Sequence, residues 1–340
     1  MKTRLVILAV LMAVAAAPPL AAQTTIGPVS ADEVARYQGD GGVLRLLDNP
    51  AGTNAFARYT MQKFRLDKKY GFEMQIVQVG STQAAVTAIQ AGGGDVSTAD
   101  FLLLARLRHA GVNAIGIGPM LKWADHIIVP TESSIRDFGD LKGKRVGMVN
   151  RAQSNWIVMR AVALKKYNFE LEKDSVVHEG GIALLRGLIE QGQLDATFMY
   201  DNITPAMTVT GKFRVLNQMS ELINLLGLPP DAPFLLFMTS GNYAAAHPKN
   251  VRAYMAAYRE AVATLRGNDE IWMEQGRLMK MDEASIPPVR DEMREDLLST
   301  FGPTSAADLQ KTFDILLETA GPEVLGMSRL PEHLMTLEYQ

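Results

Sequence analysis

The stretch Ile89-Gln90-Ala91-Gly92-Gly93-Gly94-Asp95-Val96-Ser97-Thr98 has a counterpart one hundred residues later, Ile189-Glu190-Gln191-Gly192-Gln193-Leu194-Asp195-Ala196-Thr197-Phe198. Each reads as a helix end, a glycine suited to a left-handed C-cap, an aspartate, and an apolar run typical of a buried strand. Polar residues follow in both copies, at Asp100 and at Tyr200-Asp201-Asn202. The pattern predicts two α/β lobes with a ligand held between them, although two unrelated helix-to-strand turns could also look alike.

The N-terminus has the pattern of a secretory signal peptide. Lys2 and Arg4 precede an apolar run over residues 5–17, and small residues lead to a cleavage site expected after Ala22. The run is too short for a membrane anchor, and prolines follow it. We therefore expect residues 1–22 to be removed and residues 23–42 to form a loose polar leader.

Composition narrows the class of protein. There is no cysteine, which excludes disulfides, thiolate metal sites, a cysteine nucleophile and lipid attachment to a cysteine. Without Lys2 and Arg4, the 34 basic and 37 acidic residues become 32 and 37, a net charge of −5 that gives no support for nucleic-acid binding. The five histidines lack metal-ligand spacing, so we expect no metal and no cofactor. A monomer diffusing freely in the periplasm of a Gram-negative bacterium fits best.

The order of elements predicts an α/β fold. Apolar runs alternate with helical segments over residues 43–117, which indicates a mostly parallel sheet flanked by helices. We expect helices at about residues 53–69 and at 101–109, and strands at residues 113–117 and 196–199. The run 126–130 suits a crossing to a second lobe of the same kind, and the run 234–238 suits a strand returning to the first. We expect lobe 1 to comprise residues 43–127 and 232–340, and lobe 2 residues 128–231.

Three segments carry a family resemblance. They are Gly80 to Gly92 with Asp95, the phrase Asp140-Leu141-Lys142-Gly143-Lys144-Arg145-Val146-Gly147, and His247-Pro248-Lys249-Asn250-Val251-Arg252-Ala253-Tyr254. In order and spacing the chain resembles the ABC-transporter substrate-binding proteins of the sulfonate/nitrate/taurine type, a superfamily that also holds binders of thiamine pyrimidine precursors. The resemblance implies a two-lobed periplasmic-binding-protein fold of type II with its ligand cleft between the lobes. It also implies that the protein closes on a small solute and presents it to an inner-membrane permease and its ATPase.

Open parallel sheets bind ligands outside the carboxyl ends of their strands, so the loops 49–54 and 80–82 and the cluster at Asp100 are candidates. Corresponding loops of the second lobe add residues 151–155 and 200–202. The candidate ligand-binding residues are Asn49, Thr53, Asn54, Ser81, Thr82, Asp100, Trp123, Arg151, Ser154, Asn155, Tyr200, Asp201 and Asn202.

The polar candidates have alternative roles. Ser81, Thr82, Ser154 and Asn155 lie at expected helix starts, where they either donate to a bound anion or simply cap the helix. Arg151 could pair with a carboxylate or sulfonate, or it is a solvated surface arginine.

Asp201 favours a different ligand, because an acid prefers an amine, an amide or a polar ring; alternatively it caps the following helix. The rings of Trp123, Trp156, Tyr200 and Phe56 either stack on a planar ligand or pack in the core.

These observations predict a periplasmic solute receptor for a small organic anion, a sulfonate or a carboxylate, with an aromatic ligand among the options. No nucleophile elbow or phosphate loop occurs, so we expect no catalytic residues and no enzymatic activity. A periplasmic accessory or sensor protein on the same fold is the main alternative, followed by an enzyme of the same superfold.

Overall fold

A computed structural model describes residues 29–50, 52–80, 82–229 and 231–340. The predicted signal peptide lies outside these residues. Strands within them are β1 (Val43–Asp48), β2 (Glu73–Gln78), β3 (Val96–Asp100), β4 (Ala114–Lys122), β5 (His126–Pro130), β6 (Arg145–Met148), β7 (Val176–Glu179), β8 (Ala196–Met199), β9 (Phe213–Gln218) and β10 (Pro233–Ser240). Helices are α1 (Ala31–Arg36), α2 (Ala55–Lys63), α3 (Leu66–Lys69), α4 (Thr82–Gln90), α5 (Phe101–His109), α6 (Ser154–Tyr167), α7 (Leu171–Asp174), α8 (Ile182–Glu190), α9 (Thr204–Thr208), α10 (Met219–Leu225), α11 (Gly241–Ala246), α12 (Pro248–Gly267), α13 (Asp269–Leu278), α14 (Ile286–Asp296) and α15 (Ser305–Leu325), with 3-10 turns at Phe138–Leu141 and Glu283–Ser285.

Two five-stranded sheets share one topology. The first has the order β2-β1-β3-β10-β4 and the second the order β7-β6-β8-β5-β9. In the first sheet β10 runs antiparallel to both neighbours, and in the second β5 does the same, while β1–β3 and β6–β8 pair in parallel. In each sheet four of the five strands therefore run in the same direction, which confirms the expected mostly parallel sheets. The lobe boundaries stay a prediction, with the second sheet beginning at His126.

A matched Arg–Asp pair explains the hundred-residue repeat. Asp95 accepts from the backbone N–H of Arg45 at 2.7 Å and from its guanidinium at 2.6 and 3.0 Å. Asp195 accepts from the backbone N–H of Arg145 at 2.8 Å and from its guanidinium at 2.6 and 3.1 Å. The glycine three residues before each aspartate is left-handed, with φ of 71° and 69°. Each aspartate thus fastens a helix-to-strand return to the neighbouring parallel strand.

Hydrophobic contact is continuous between the two sheets. One cluster joins Phe101 and Trp123 of the first half to Trp156 and Phe198 of the second. Helix α15 adds Phe313 to this cluster and packs against both α6 and α5. A second cluster lies on the other face of the first sheet, with side chains from α2, α12 and α13. None of the described helices combines the length and apolar character needed to cross a bilayer.

Element boundaries differ from expectation in two places. A single helix over residues 53–69 is wrong, because Arg65 adopts a left-handed conformation (φ 52°) and separates α2 from α3. The break lets Asp67 accept from the backbone N–H of Met74 at 3.2 Å, which links α3 to β2. Strand β4 extends to Lys122 past Pro119, which is tolerated because β4 is an edge strand paired irregularly with β10.

Part of the expected leader has defined structure. Ser30 caps α1 by accepting from the backbone N–H of Glu33 at 3.2 Å. The backbone N–H of Gly39 donates to the carbonyl of Tyr70 at 2.8 Å, so this segment is attached to the turn before β2.

Candidate functional site

Polar side chains from the two halves meet between the sheets. The hydroxyl of Ser154, at the start of α6, donates to the carboxylate of Asp100, at the end of β3. The hydroxyl of Thr53, in the loop after β1, donates to Asp201, in the loop after β8, at 3.2 Å. These residues follow the carboxyl ends of parallel strands, where such sheets bind ligands. Together with Asp125 and Asn155 they form what we call the intersheet cluster.

Asp100 has three partners. It caps α5 by accepting from the backbone N–H groups of Leu102 and Leu103, both at 3.1 Å, besides the Ser154 hydroxyl. Burial raises the pKa of the Asp100 carboxyl, although these hydrogen bonds and nearby Arg106 act in the opposite direction. The N-terminus of α5 is therefore already occupied by an acid of the protein itself.

Asp125 and Asp201 form an acid pair in the same cluster. The amide of Asn155 donates to Asp125 at 2.7 Å, and the backbone N–H of Asp201 donates to the same carboxylate at 3.3 Å. One oxygen of Asp201 accepts from Thr53 and from the backbone N–H of Asn202, the latter at 2.7 Å. The other, Oδ2, has no partner among the described residues. Burial, followed by the Asp201 charge, raises the pKa of Asp125; burial, followed by Glu292, raises that of Asp201.

Asp125 was not a predicted candidate. It lies on the connection from β4 to β5, between Ala124 and His126, and is almost completely buried. The signal available in the sequence was an aspartate in the crossing between Trp123 and Pro130, where only Asp125 and His126 are polar. A buried acid there requires partners, because an isolated carboxylate is costly to remove from water.

The loop after β1 is organised by Asp48. Asp48 accepts from Arg58 at 2.5 Å and from the amide of Asn54 at 3.3 Å. Asn54 Oδ1 has no partner among the described residues. Asn49 is exposed, and its carbonyl accepts from the backbone N–H of Gly52 at 2.9 Å. Asn54 thus lies close to the intersheet cluster through its neighbour Thr53, whereas Asn49 faces solvent.

Three predicted ligand-binding residues, Ser81, Thr82 and Arg151, are outside the described residues or have no contact with the intersheet cluster among the described bonds. Ser81 is outside the described residues, and Thr82 at the start of α4 is exposed. Arg151 pairs with Glu172 at 3.2 Å and with Glu179 at 2.6 Å. Since both acids belong to the second half, the guanidinium is already neutralised by its own half, and its role toward a ligand stays a prediction.

The aromatic candidates mostly pack in the core. Trp123 is 1% exposed and lies between Phe101 and Phe234, with ring centroids 6.2 and 4.5 Å away. Its Nε1 has no partner within the described part of the chain. Tyr200 is half-buried, and burial raises its pKa to about 12, helped by the charge of Asp125.

Trp156 and Phe56, the other two rings considered, are buried as well. Trp156 Nε1 donates to Glu172 at 2.7 Å, and Phe56 packs on Trp272 at 4.6 Å between ring centroids. No group of three or more histidine, aspartate or glutamate side chains suited to a metal ion occurs in the described residues.

A family model described as NMT1/THI5 like matches residues 68–270, more than half of the chain. The chain belongs to this family. A protein of Escherichia coli K12 that is described as a putative aliphatic sulfonates-binding protein is 24% identical to this chain over 208 residues. That match covers 60% of this chain and 62% of the relative, so the chain spans less than two thirds of the relative's length. The family resemblance predicted from the sequence is confirmed.

Solved structures show the same fold. The alkanesulfonate-binding protein of Xanthomonas axonopodis pv. citri, bound to MOPS, is 20% identical with a TM-score of 0.71 over 86% of this chain and 98% of that one. The periplasmic aliphatic sulphonate-binding protein of E. coli is 19% identical with a TM-score of 0.72, over 88% and 99%. A Candida albicans protein with the generic periplasmic-binding-protein fold is 11% identical with a TM-score of 0.64, over 87% and 95%. The predicted two-lobed fold is confirmed.

Proposed function

We propose that this chain is a solute receptor that binds one small molecule between its two halves and delivers it to an ABC permease and ATPase. The observation that carries the proposal is the intersheet cluster, in which Ser154 of the second half donates to Asp100 of the first, and Thr53 of the first half donates to Asp201 of the second. Buried polar groups are costly unless they are satisfied, so a cluster with unpartnered atoms at this position suits a ligand site. A ligand touching both halves would favour the conformation in which they are together.

Export to the periplasm is part of this proposal. The N-terminal pattern of Lys2, Arg4 and an apolar run supports it, as does the periplasmic description of the E. coli structure. A receptor role without catalysis is supported by the names of the relatives, which are binding proteins. An accessory or sensor protein on the same fold would use the same site. Deletion of the gene separates this alternative from a transport receptor, because only loss of a receptor should abolish solute uptake.

An organic anion is the ligand expected from the sequence, and two observations favour it. Helix α6 begins after Gln153, whose side chain makes no capping hydrogen bond, and a helix N-terminus attracts negative charge. The similar structures bind sulfonates according to their descriptions. The carboxylates of the intersheet cluster would repel an anion, so the compounds for the test include organic amines as well as anions.

The proposal is tested by a thermal-shift screen of the protein against sulfonates, aromatic carboxylates, nitrate, pyrimidines and organic amines. A compound that binds the folded state raises the melting temperature by mass action, with about 2.7 kcal/mol of stabilisation at one hundred times its Kd. We expect one chemical class to stabilise the protein without being consumed. Stabilisation by no class would contradict a receptor role, and turnover of the stabilising compound would indicate an enzyme.

A further inference from the structure

One contact between the two halves involves a histidine and a glutamate outside the intersheet cluster. His126 is the first residue of β5 in the second sheet, and its side chain is 2% exposed. Its Nε2 lies 2.8 Å from Oε1 of Glu292 on α14. Helix α14 belongs to the first half, because its apolar residues, Val289 and Met293 among them, pack in the cluster on the other face of the first sheet. The pair therefore joins the second sheet to a helix of the first half.

Charge rather than a hydrogen bond joins these two side chains. Among the described residues neither Nδ1 of His126 nor Oε1 of Glu292 has a hydrogen-bond partner. A protonated imidazole attracts a carboxylate that lies this close, whereas a neutral imidazole without a hydrogen bond has no comparable attraction. Histidine is the side chain whose charge ordinarily changes between about pH 5 and 8. The strength of the contact should therefore depend on pH in that range.

Most of the charged groups around this contact are acids. The titratable and charged groups near His126 in the described part of the chain are Glu292 and Asp296 on α14, Asp201 and Tyr200 in the loop after β8, Asp125 on the β4–β5 connection, and Lys122 at the end of β4. Lys122 lies 3.3 Å from Asp296 and 3.8 Å from the exposed Asp231, so its charge is shared between these two acids. The imidazole of His126 is thus the cation that can compensate Glu292.

Rising pH changes the charges at this contact in one direction. Burial, followed by the charge of Glu292, raises the pKa of Asp201 to about 7, and burial raises the pKa of Asp296 to about 6. At about pH 5.5 an imidazole is ordinarily protonated and faces Glu292, while these two aspartates are mostly neutral. At about pH 8 an imidazole is ordinarily neutral, and ionised Asp296 in the first half repels ionised Asp201 in the second. The contact is attractive at the lower pH and repulsive at the higher one.

We propose that His126 and Glu292 form a pH-dependent latch, which holds the two halves together when the imidazole is protonated and releases them when it is neutral. The latch is separate from the proposed binding of a solute, because its two side chains contact each other without any ligand. In a receptor, protonation would favour the same conformation that a bound solute favours, so the solute should bind more tightly as the pH falls.

The first test compares the distance between the halves at two pH values, with both residues of the latch intact. Spin labels are attached at Leu184→Cys on α8 of the second half and at Leu278→Cys on α13 of the first, both exposed positions. Double electron–electron resonance is recorded at about pH 5.5 and at about pH 8 without any added solute. We expect a narrow distance distribution at the lower pH and one about twice as wide at the higher pH, because released halves take more than one relative position.

The second test removes one charge of the pair at a time in the labelled protein. Glu292→Gln and His126→Gln should each lose at least about half of the difference between the two pH values, since either change abolishes the ion pair. The double variant should lose little more than Glu292→Gln alone, because both changes remove the same interaction. The matched controls are Glu295→Gln, an exposed glutamate on the same helix, and His109→Gln, an exposed histidine at the end of α5. Both controls should keep the full difference.

Equal distance distributions at the two pH values would overturn the latch. A full response to pH in Glu292→Gln, or an equal loss in Glu295→Gln, would overturn it as well. If His126→Gln does not fold, the comparison at two pH values and Glu292→Gln, whose side chain is 21% exposed in the native protein, still decide the matter. None of these measurements includes a solute, so their failure leaves the receptor function to be judged by the thermal-shift screen.

Discussion

At the residue scale, the two Arg–Asp pairs are equivalent in geometry and different in burial. The side chain of Asp95 is 4% exposed and that of Asp195 is 30% exposed. Hydrogen bonds that are shielded from water are more costly to lose, because the abandoned partners cannot be hydrated instead. The hundred-residue repeat therefore provides an internal comparison of one interaction in two environments.

We predict that Asp95→Asn lowers the free energy of unfolding by about 1–3 kcal/mol, since it weakens the bond to Arg45 in a buried setting. Asp195→Asn should lower it by less, because water reaches that pair. Differential scanning calorimetry of the two variants checks the order. An equal or larger loss for Asp195→Asn would contradict the role assigned to burial.

The acid pair makes a prediction about pH. Burial raises the pKa of both Asp125 and Asp201, so the folded state binds a proton more tightly than the unfolded chain does. Their contribution to stability is present at low pH and is lost as the pH rises from the usual aspartate range through the raised pKa values. We predict that the melting temperature rises as the pH falls from about 8 to about 5, and that Asp201→Asn makes this dependence shallower.

The control for this pH dependence is Asp231→Asn, which should keep the wild-type slope because its side chain is exposed. Asp201→Asn should also raise the melting temperature at about pH 8, by about 2 °C or more, since it removes a buried charge. An unchanged slope in Asp201→Asn would show that other groups set the pH dependence.

At the element scale, sequence patterns located most elements because each carries a local signal. The helix Phe101–His109 and the strands His126–Pro130 and Ala196–Met199 have the predicted bounds, since Asp100 caps the first and turn residues end the others. The split between α2 and α3 was missed because Arg65, the left-handed residue between them, is not of a type that favours this conformation, and because the bond from the backbone N–H of Met74 to Asp67 joins α3 to another element. Local propensity does not report such bonds.

The residues of the candidate site also divide into those that a local pattern in the sequence located and one that it missed. Ser154, Asn155, Thr53 and Asp201 were found because they follow predicted strands or begin a predicted helix, and the structure brings them together. Asp125 was missed because it belongs to a crossing segment rather than to a loop at a strand end. Which acid faces which is a property of the assembled fold, so the charge of the cluster could not be predicted from spacing.

Helix α15 joins the two halves and gives an element-scale prediction. Leu316 is fully buried in the cluster shared with α6 and α5. Leu316→Ala should lower the free energy of unfolding by about 2–5 kcal/mol, because it leaves a cavity in a packed interface. Urea unfolding measures the loss, and Leu278→Ala, at a residue that is 63% exposed, is the control expected to change little. Similar values for the two variants would contradict the packing role of α15.

At the scale of the whole molecule, two kinds of contact connect the two sheets. One is the apolar cluster with α15, which packs on α6 and α5, and the other consists of the polar bonds Asp100–Ser154 and Thr53–Asp201. Replacing such hydrogen bonds by hydrogen bonds to water costs less free energy than exposing packed apolar side chains to water. Opening should therefore break the polar bonds first and leave the connections between the sheets intact.

The most direct test of a solute held between the halves is a distance measured across them. Because the chain contains no cysteine, spin labels attach only where cysteine is introduced, at Leu184→Cys on α8 and Leu278→Cys on α13, both exposed. We predict that a compound selected by the thermal-shift screen shortens and narrows the distance distribution in double electron–electron resonance, and that Asp201→Asn weakens this response. A distribution that stays the same when the compound is bound would contradict binding between two closing halves.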